Sequence, residues 1–255
     1  MIPKIVYAFY EPYDEGSIIS KRYLDNWKEF LSDKGFEFKI LTLKDLFSED
    51  VEFPNYLKCA IEKKLYYSVA DWYRIYKIWQ TGGIWIDTDV FFHNPIPESF
   101  LENDFFIVNS GHRHELSADF FGSEKNNEYL EFILKQFYKF ETECLVDDIF
   151  FNINKIMFCC FEELIGEIDN DILKTKEYLY HNKKYTLYDI HKRNSKLRFH
   201  NMMNDETICT HENGGIDVGG WIERNMGGAQ TNRGWKRRYY NLLKNTISNN
   251  NINNQ

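Results

Sequence analysis

The sequence predicts an α/β fold, a mainly parallel sheet flanked by helices, and three observations lead to it. An apolar, β-branched and aromatic run from Lys4 to Tyr10 is closed by Glu11-Pro12. Apolar residues at helical spacing follow it (Ile19, Tyr23, Trp27, Phe30 and Leu31) until Gly35. A second strand-like run then spans Phe36 to Leu41, completing the β-α-β order that favours parallel pairing through a right-handed crossover.

Each element has its local reason. Lys4 to Tyr10 reads as a buried strand, Ser17 as a cap for the helix after it, and Gly35 as the stop. A polar, Pro-containing passage from Ser48 to Asn55 leads through Tyr56–Tyr67 to a helix opening at Ser68 and running to about Gln80. Trp72, Tyr73, Tyr76 and Trp79 sit at helical spacing on it and are expected in the core. Gly82-Gly83 ends the helix, Ile84-Trp85-Ile86 is a compact strand, and Asp87-Thr88-Asp89 stands where that strand runs out. Val90-Phe91-Phe92 and a Pro-containing turn at His93–Pro97 follow. Later signals are weaker: strands near Phe105–Asn109 and Ala118–Phe121, helices near Asn126–Phe140 and Val146–Cys159, and a late strand at Thr207–His211. Gly214-Gly215 and Gly219-Gly220 mark tight turns before Trp221, no internal repeat is visible, and the Asn-rich residues 245–255 are expected to be disordered.

Composition narrows the function classes. With 255 residues the chain fits one large domain, taken as residues 1–244. A formal charge of −8 argues against a nucleic-acid partner, because phosphate-backbone binding needs concentrated Lys and Arg. The five cysteines (Cys59, Cys144, Cys159, Cys160 and Cys209) are odd in number and lack CxxC spacing, so neither a disulfide framework nor a zinc site is indicated. A reducing, cytoplasmic setting is the expectation, and no stretch approaches the length of a membrane span. Aromatic residues reach 17%, which suits a cleft for sugars and bases and equally a Tyr-rich interior.

The chemistry concentrates at Asp87 and Asp89. In an extended segment alternate side chains share a face, which would set their Cα atoms roughly 6.6 Å apart over one pocket. Hard carboxylate oxygens suit Mg²⁺ or Mn²⁺, which complete their shells with water and substrate phosphate oxygens. The site would lie outside the carboxyl end of a strand, where open α/β sheets bind ligands. The same tripeptide also makes a solvated turn capping a neighbouring helix, so context decides.

That context is the stretch from Ala70-Asp71-Trp72-Tyr73-Arg74 through Gly82-Gly83-Ile84-Trp85-Ile86-Asp87-Thr88-Asp89, which closely resembles the signature of glycosyltransferase family 32. The opening Ile2-Pro3-Lys4-Ile5-Val6 resembles the family's first strand. The resemblance covers roughly the first hundred residues, and the rest of the chain resembles the family only loosely. It implies a GT-A fold, a Rossmann-like nucleotide-binding sheet flanked by helices with an acceptor-side subregion. Residues 1–100 would be the nucleotide-sugar half, 101–231 the acceptor side and 232–244 a basic aromatic C-terminal helix. It implies a metal-dependent, retaining enzyme moving a sugar from a nucleotide diphosphate donor, most commonly a UDP-sugar, to a glycan or lipid-linked acceptor as in capsule or lipooligosaccharide assembly. Asp89 would hold Mn²⁺ or Mg²⁺, Asp87 the donor ribose and the metal's water shell, and Asp71 and Arg74 the donor sugar. Ala8 and Phe9 match the place of the nucleotide base, with Tyr7 and Tyr10 standing where the family has His and Trp. Thr210-His211 and Gly219-Gly220-Trp221 match a late segment whose Trp closes over the donor phosphates. The resemblance implies His211 as the candidate third metal ligand; the spacing between the two matches is longer than the family's, which leaves Asp217 as the fallback.

Other readings share these residues. Ser68-x-x-Asp71 is also a helix-start capping box, with Arg74 a simple i,i+3 partner of Asp71. A retaining transferase needs no protein nucleophile, but Asp119 and the pair Asp147-Asp148 are candidates for one; paired acids at a helix start also complement its dipole. Ile84-Trp85-Ile86-Asp87-Thr88-Asp89-Val90 fits an aspartyl-phosphatase pattern too, with Asp87 as nucleophile and Gly166-Glu167 with Asp171 as a later acidic motif. A third reading is a sugar-nucleotide-binding protein without catalysis. Finally, residues 233–244 place five positive charges among Trp235, Tyr239, Tyr240, Leu242 and Leu243. That composition suits an anionic membrane surface, and also a C-terminal helix packed on the domain with its basic face in water.

Overall fold

The computed structural model describes residues 1–12, 18–109, 115–139, 153–168, 175–188 and 208–211. Strand β1, Ile5–Phe9, forms as the sequence predicts and is buried on both faces. Val6 and Ala8 point into one hydrophobic core, Tyr7 and Phe9 into another on the opposite face. This double burial explains why the strand is continuously apolar rather than alternating. Helix α1, Lys21–Phe30, buries Tyr23 and Trp27, and a 3-10 turn ends it at Gly35, whose φ of 85° is left-handed. The predicted cap Ser17 lies outside the described residues; the residue before the helix is Ser20. Strand β2, Glu37–Leu41, pairs in parallel with β1, as the β-α-β reading requires.

Two short helices, α2 (Leu43–Phe47) and α3 (Asn55–Glu62), lead to α4, Tyr66–Thr81. Helix α4 begins two residues earlier than predicted, after Leu65, with no side-chain cap. Ser68 therefore lies inside the helix, its N–H bonded to the Leu65 carbonyl at 2.9 Å, and the Ser68–Asp71 capping box does not form. Trp72, Tyr73 and Tyr76 are buried and Trp79 packs partly against them, as expected of core residues. The helix stops at Gly82-Gly83 for a steric reason. Both have positive φ, 71° and 115°, and a Cβ on Gly83 would lie 2.6 Å from the Ile5 carbonyl oxygen. Strand β3, Gly83–Ile86, thus enters directly alongside β1, in parallel.

The second half of the sheet is mostly antiparallel. Elements β4 (Val90–Phe92), α5 (Glu98–Leu101), β5 (Phe105–Asn109) and β6 (Leu116–Ser123) precede helices α6 (Glu128–Lys139) and α7 (Ile153–Leu164). Strands β7 (Lys176–Tyr180) and β8 (Lys183–Tyr188) form a hairpin, and β9 is Cys209–His211. Among the described residues the main sheet has seven strands in the order β2-β1-β3-β6-β5-β8-β7, with β4 and β9 in a separate antiparallel ribbon. Side chains of α3, α4, α6 and α7 fill the core on one face; those of α1, β4 and α5 fill the other. The result is a mixed α/β fold, a central sheet flanked by helices.

Candidate functional site

Strands β1 and β3 run in parallel, so their carboxyl ends meet at one end of the sheet, where the chain leaves Ile86 for Asp87. The Asp87 N–H donates to the Asp119 carbonyl at 2.9 Å, and the Val90 N–H closes back on the Asp87 carbonyl at 3.1 Å. Residues 87–90 are therefore a β-turn, not an extension of the strand. This corrects the alternate-face reading: the turn, rather than a strand pleat, sets how Asp87 and Asp89 are presented. Helix α1 anchors the segment after the turn. Trp27 Nε1 donates to the Val90 carbonyl at 2.8 Å, while the Asn26 amide both donates to the Phe92 carbonyl and accepts its N–H, each at 2.8 Å.

Beneath the turn lies Arg74, buried, on the fourth helix. Its Nη2 pairs with Asp71 Oδ1 at 2.9 Å and its Nη1 with Asp87 Oδ1 at 3.1 Å. Nη1 also donates to the Ala118 carbonyl at 2.9 Å, and Nε reaches the Ala70 carbonyl at 3.3 Å. The guanidinium is thus engaged on all three nitrogens, and its plane lies near the Trp85 ring, 5.6 Å from the centroid. Asp87 Oδ1 receives a further bond from Trp85 Nε1 at 3.0 Å. The sequence motif joined Asp71, Arg74 and Asp87, and the structure brings them into one cluster.

Asp119 joins the same cluster. Ser117 Oγ donates to its Oδ2 at 2.7 Å, and its charge acts on both Asp71 and Arg74. Sequence patterning marks Asp119 only as a nucleophile candidate; the available signal is a Ser-Ala-Asp interruption within an otherwise buried apolar strand. Burial pushes the Asp71 carboxyl up to about 7 against the opposing pull of Arg74, with Asp87 and Asp119 adding to the rise. The attraction of Arg74 does not offset the burial, and the like charges of Asp87 and Asp119 work against it. Burial alone would lower the Arg74 pKa, yet Asp87, Asp71 and Asp119 together raise it.

The β4–β9 ribbon lies along this cluster. Its register sets His211 opposite Val90, the residue after Asp89, and Cys209 opposite Phe92. Burial pushes the Cys209 thiol up to about 12, and the nearby charge of Asp119 adds to it. Among the described residues no group of three or more His, Cys, Asp and Glu side chains is arranged as a metal site. The donor set at the turn is nonetheless two carboxylates, hard oxygen ligands of the kind Mg²⁺ and Mn²⁺ take, with backbone register bringing a histidine position beside them.

The remaining predicted residues divide in two. Ala8 and Phe9 are buried in opposite cores, Phe9 edge-on to Tyr73 at 6.0 Å, so their side chains do not line an open pocket. Trp221, Asp217, Asp147 and Asp148 lie outside the described residues. The phosphatase motif does not assemble at the turn. Gly166 and Glu167 pack beside Tyr178 of the far edge strand, four strand spacings from β3, or roughly 19 Å, and Asp171 lies outside the described residues.

The family model described as "Capsular polysaccharide synthesis protein" matches residues 5–212. No curated protein matches the chain. The solved structures similar to it include the following two. "PaToxG Glycosyltransferase" shares 13% identity over 64% of this chain and 68% of that chain, with a TM-score of 0.48. The second, "crystal structure of a glycosyltransferase involved in the glycosylation of the major capsid of PBCV-1", shares 14% identity over 60% of this chain and 74% of that chain, with a TM-score of 0.37.

Proposed function

This chain belongs to the capsular polysaccharide synthesis protein family, and from that premise we propose that it is a metal-dependent glycosyltransferase using a nucleotide diphosphate sugar, a UDP-sugar first among them. The observation that carries the reading is Arg74, which ties Asp71 on the fourth helix to Asp87 at the head of the Asp87–Asp89 turn. Sugar-facing and phosphate-facing carboxylates are thereby held in one rigid frame at the carboxyl end of the sheet. A phosphatase would need its later acidic motif here, and Gly166-Glu167 stands at the opposite edge of the sheet.

Asp89 would hold Mn²⁺ or Mg²⁺ directly and Asp87 the donor ribose and the metal's water shell, with His211 as the further ligand and Asp217 as the fallback. Such an ion, when bound, offsets the negative charge that builds on the diphosphate as the glycosyl–phosphate bond breaks. Asp71, Asp119 and Arg74 orient the donor sugar. Asp71, with its carboxyl near 7, is able to accept from a sugar hydroxyl or donate to one. With retention of configuration, the acceptor oxygen bonds to the anomeric carbon on the face the diphosphate leaves, and its proton passes to the departing phosphate oxygen. Ala8 and Phe9, being buried, hold the base end of the site through the backbone, and Trp221 closes over the phosphates. The acceptor is a glycan or lipid-linked saccharide, reached from the cytoplasmic side with residues 233–244 against an anionic membrane surface.

A thermal-shift panel of nucleotide sugars with and without Mn²⁺ tests the reading, since a ligand binding only the folded state raises the melting temperature. A metal-dependent rise with at least one sugar nucleotide is expected; no rise with any of them in the presence of Mn²⁺ would sink it. Binding undiminished by chelation, together with no donor hydrolysis, would favour the non-catalytic binding protein.

A further inference from the structure

Strand β6 shifts register in the middle. Its pairing with β5 jumps from Ile107↔Phe121 to Val108↔Ser117, so Ala118, Asp119 and Phe120 bulge out with no counterpart on that side. On its other side the bulge stays in register with β3 through Phe120↔Ile86, and the Asp119 carbonyl accepts the Asp87 N–H. Bulges of this kind re-aim side chains at the cost of ladder hydrogen bonds, and buried peptide groups released from the ladder must find other partners.

Ala118 lies between two such peptide groups, fully buried, and both its N–H and its carbonyl are taken by side chains. Arg74 Nη1 donates to its carbonyl at 2.9 Å; the side-chain oxygen of Asn154, Oδ1, accepts its N–H at 3.0 Å. The next residue, Lys155, pairs with Glu115 at 3.8 Å, immediately before β6 begins. The first turn of α7 therefore grips β6 at two points, one on the bulge and one at its approach. Through Ala118, Asn154 is one residue away from both Arg74, which takes the Ala118 carbonyl, and Asp119, the next residue in the strand.

We propose that Asn154 is a positioning residue: by holding the Ala118 N–H it sets the bulge that delivers the Ala118 carbonyl to Arg74 and places Asp119 beside Asp87. The structural half of this inference stands on the bonds alone. Its consequence for turnover rests on the glycosyltransferase reading above.

Full-length wild type, Asn154→Leu and Asn154→Asp provide the test. Leucine has the same branched skeleton as asparagine but offers no acceptor, whereas aspartate keeps an oxygen for the Ala118 N–H. Amide hydrogen exchange, UDP affinity with Mn²⁺, and UDP-glucose hydrolysis with Mn²⁺ are measured on each. In Asn154→Leu the Ala118 and Asp87 amides should exchange about ten-fold faster, with β1 and β2 amides unchanged. The kcat for hydrolysis should fall about ten-fold while UDP affinity stays within about two-fold, and Asn154→Asp should restore both exchange and kcat to within about three-fold of wild type. Should Asn154→Leu not fold, Asn154→Ser, too short to reach the amide, replaces it with the same expectations.

Unchanged exchange at Ala118 and Asp87, or equal acceleration throughout β1, β2 and β3, would overturn the positioning role. So would a fall in UDP affinity matching the fall in kcat. If wild type neither binds UDP nor hydrolyses UDP-glucose, the failure lies with the glycosyltransferase reading, and the exchange data alone decide the inference.

Discussion

Burial sets Asp71 and Arg74 side by side under the Asp87 turn, where one guanidinium serves Asp71, Asp87 and Asp119. Removing that cation leaves carboxylates buried without it. Arg74→Ala should cost roughly 3–5 kcal/mol of stability, read by urea unfolding at neutral pH. Arg74→Lys should recover only part of the loss, since an ammonium cannot span the same fork of acceptors. Asp71 gives a pH signature of opposite sign to the usual paired carboxylate. Its carboxyl is raised from 3.8 to about 7 in the folded state, so between those values the folded protein binds more protons than the unfolded chain. Stability from this group is present at acid pH and is lost as pH rises through that window. The stability of wild type minus that of Asp71→Asn should therefore decline from pH 4 to pH 7 and level off above. A flat difference would show that Asp71 titrates elsewhere.

At the level of elements, the junction between α4 and β3 depends on Gly83. Its φ is 115° and an added Cβ would meet the Ile5 carbonyl at 2.6 Å, whereas Gly35, at φ 85°, has nothing within 4 Å of its Cβ position. Gly35→Ala should cost about 1 kcal/mol through backbone strain alone. Gly83→Ala should cost clearly more, because β3 must move off β1, and denaturant midpoints of the two variants check the ranking. The Gly-Gly punctuation, the apolar runs of β1 and β3 and the core face of α4 are legible in the sequence because each combines a strong local preference with burial. The hairpin of β7 and β8 is not, because its turn uses His181 and Asn182 in left-handed conformation, with φ of 48° and 63°, in place of glycine. The start of α4 falls earlier than the sequence suggests because Leu65 offers no capping side chain to mark it. The turn at Asp87 and the bulge at Asp119 depend on cross-strand partners far away in sequence, which local patterning does not contain.

Over the whole molecule, the parallel half of the sheet supplies the turn and the fourth helix, the antiparallel half supplies Asp119, and the separate β4–β9 ribbon supplies the His211 register, so the site needs all three. No helix among the described residues is long and apolar enough to cross a membrane. The proposed contact with a lipid surface is carried by the sequence of residues 233–244, with its five positive charges and interleaved aromatics. Deleting residues 233–255 should abolish co-sedimentation with vesicles rich in anionic lipid at low salt, and unchanged partitioning would remove the membrane from the account. Sugar transfer itself is tested most directly by release of nucleoside diphosphate from UDP-sugar donors, comparing wild type with Asp89→Asn in Mn²⁺ and in chelator. Wild type should release UDP only with the metal, and Asp89→Asn should fall by about a hundred-fold or more while melting within a few degrees of wild type. Release that persists in chelator, or an Asp89→Asn variant as active as wild type, would contradict the account.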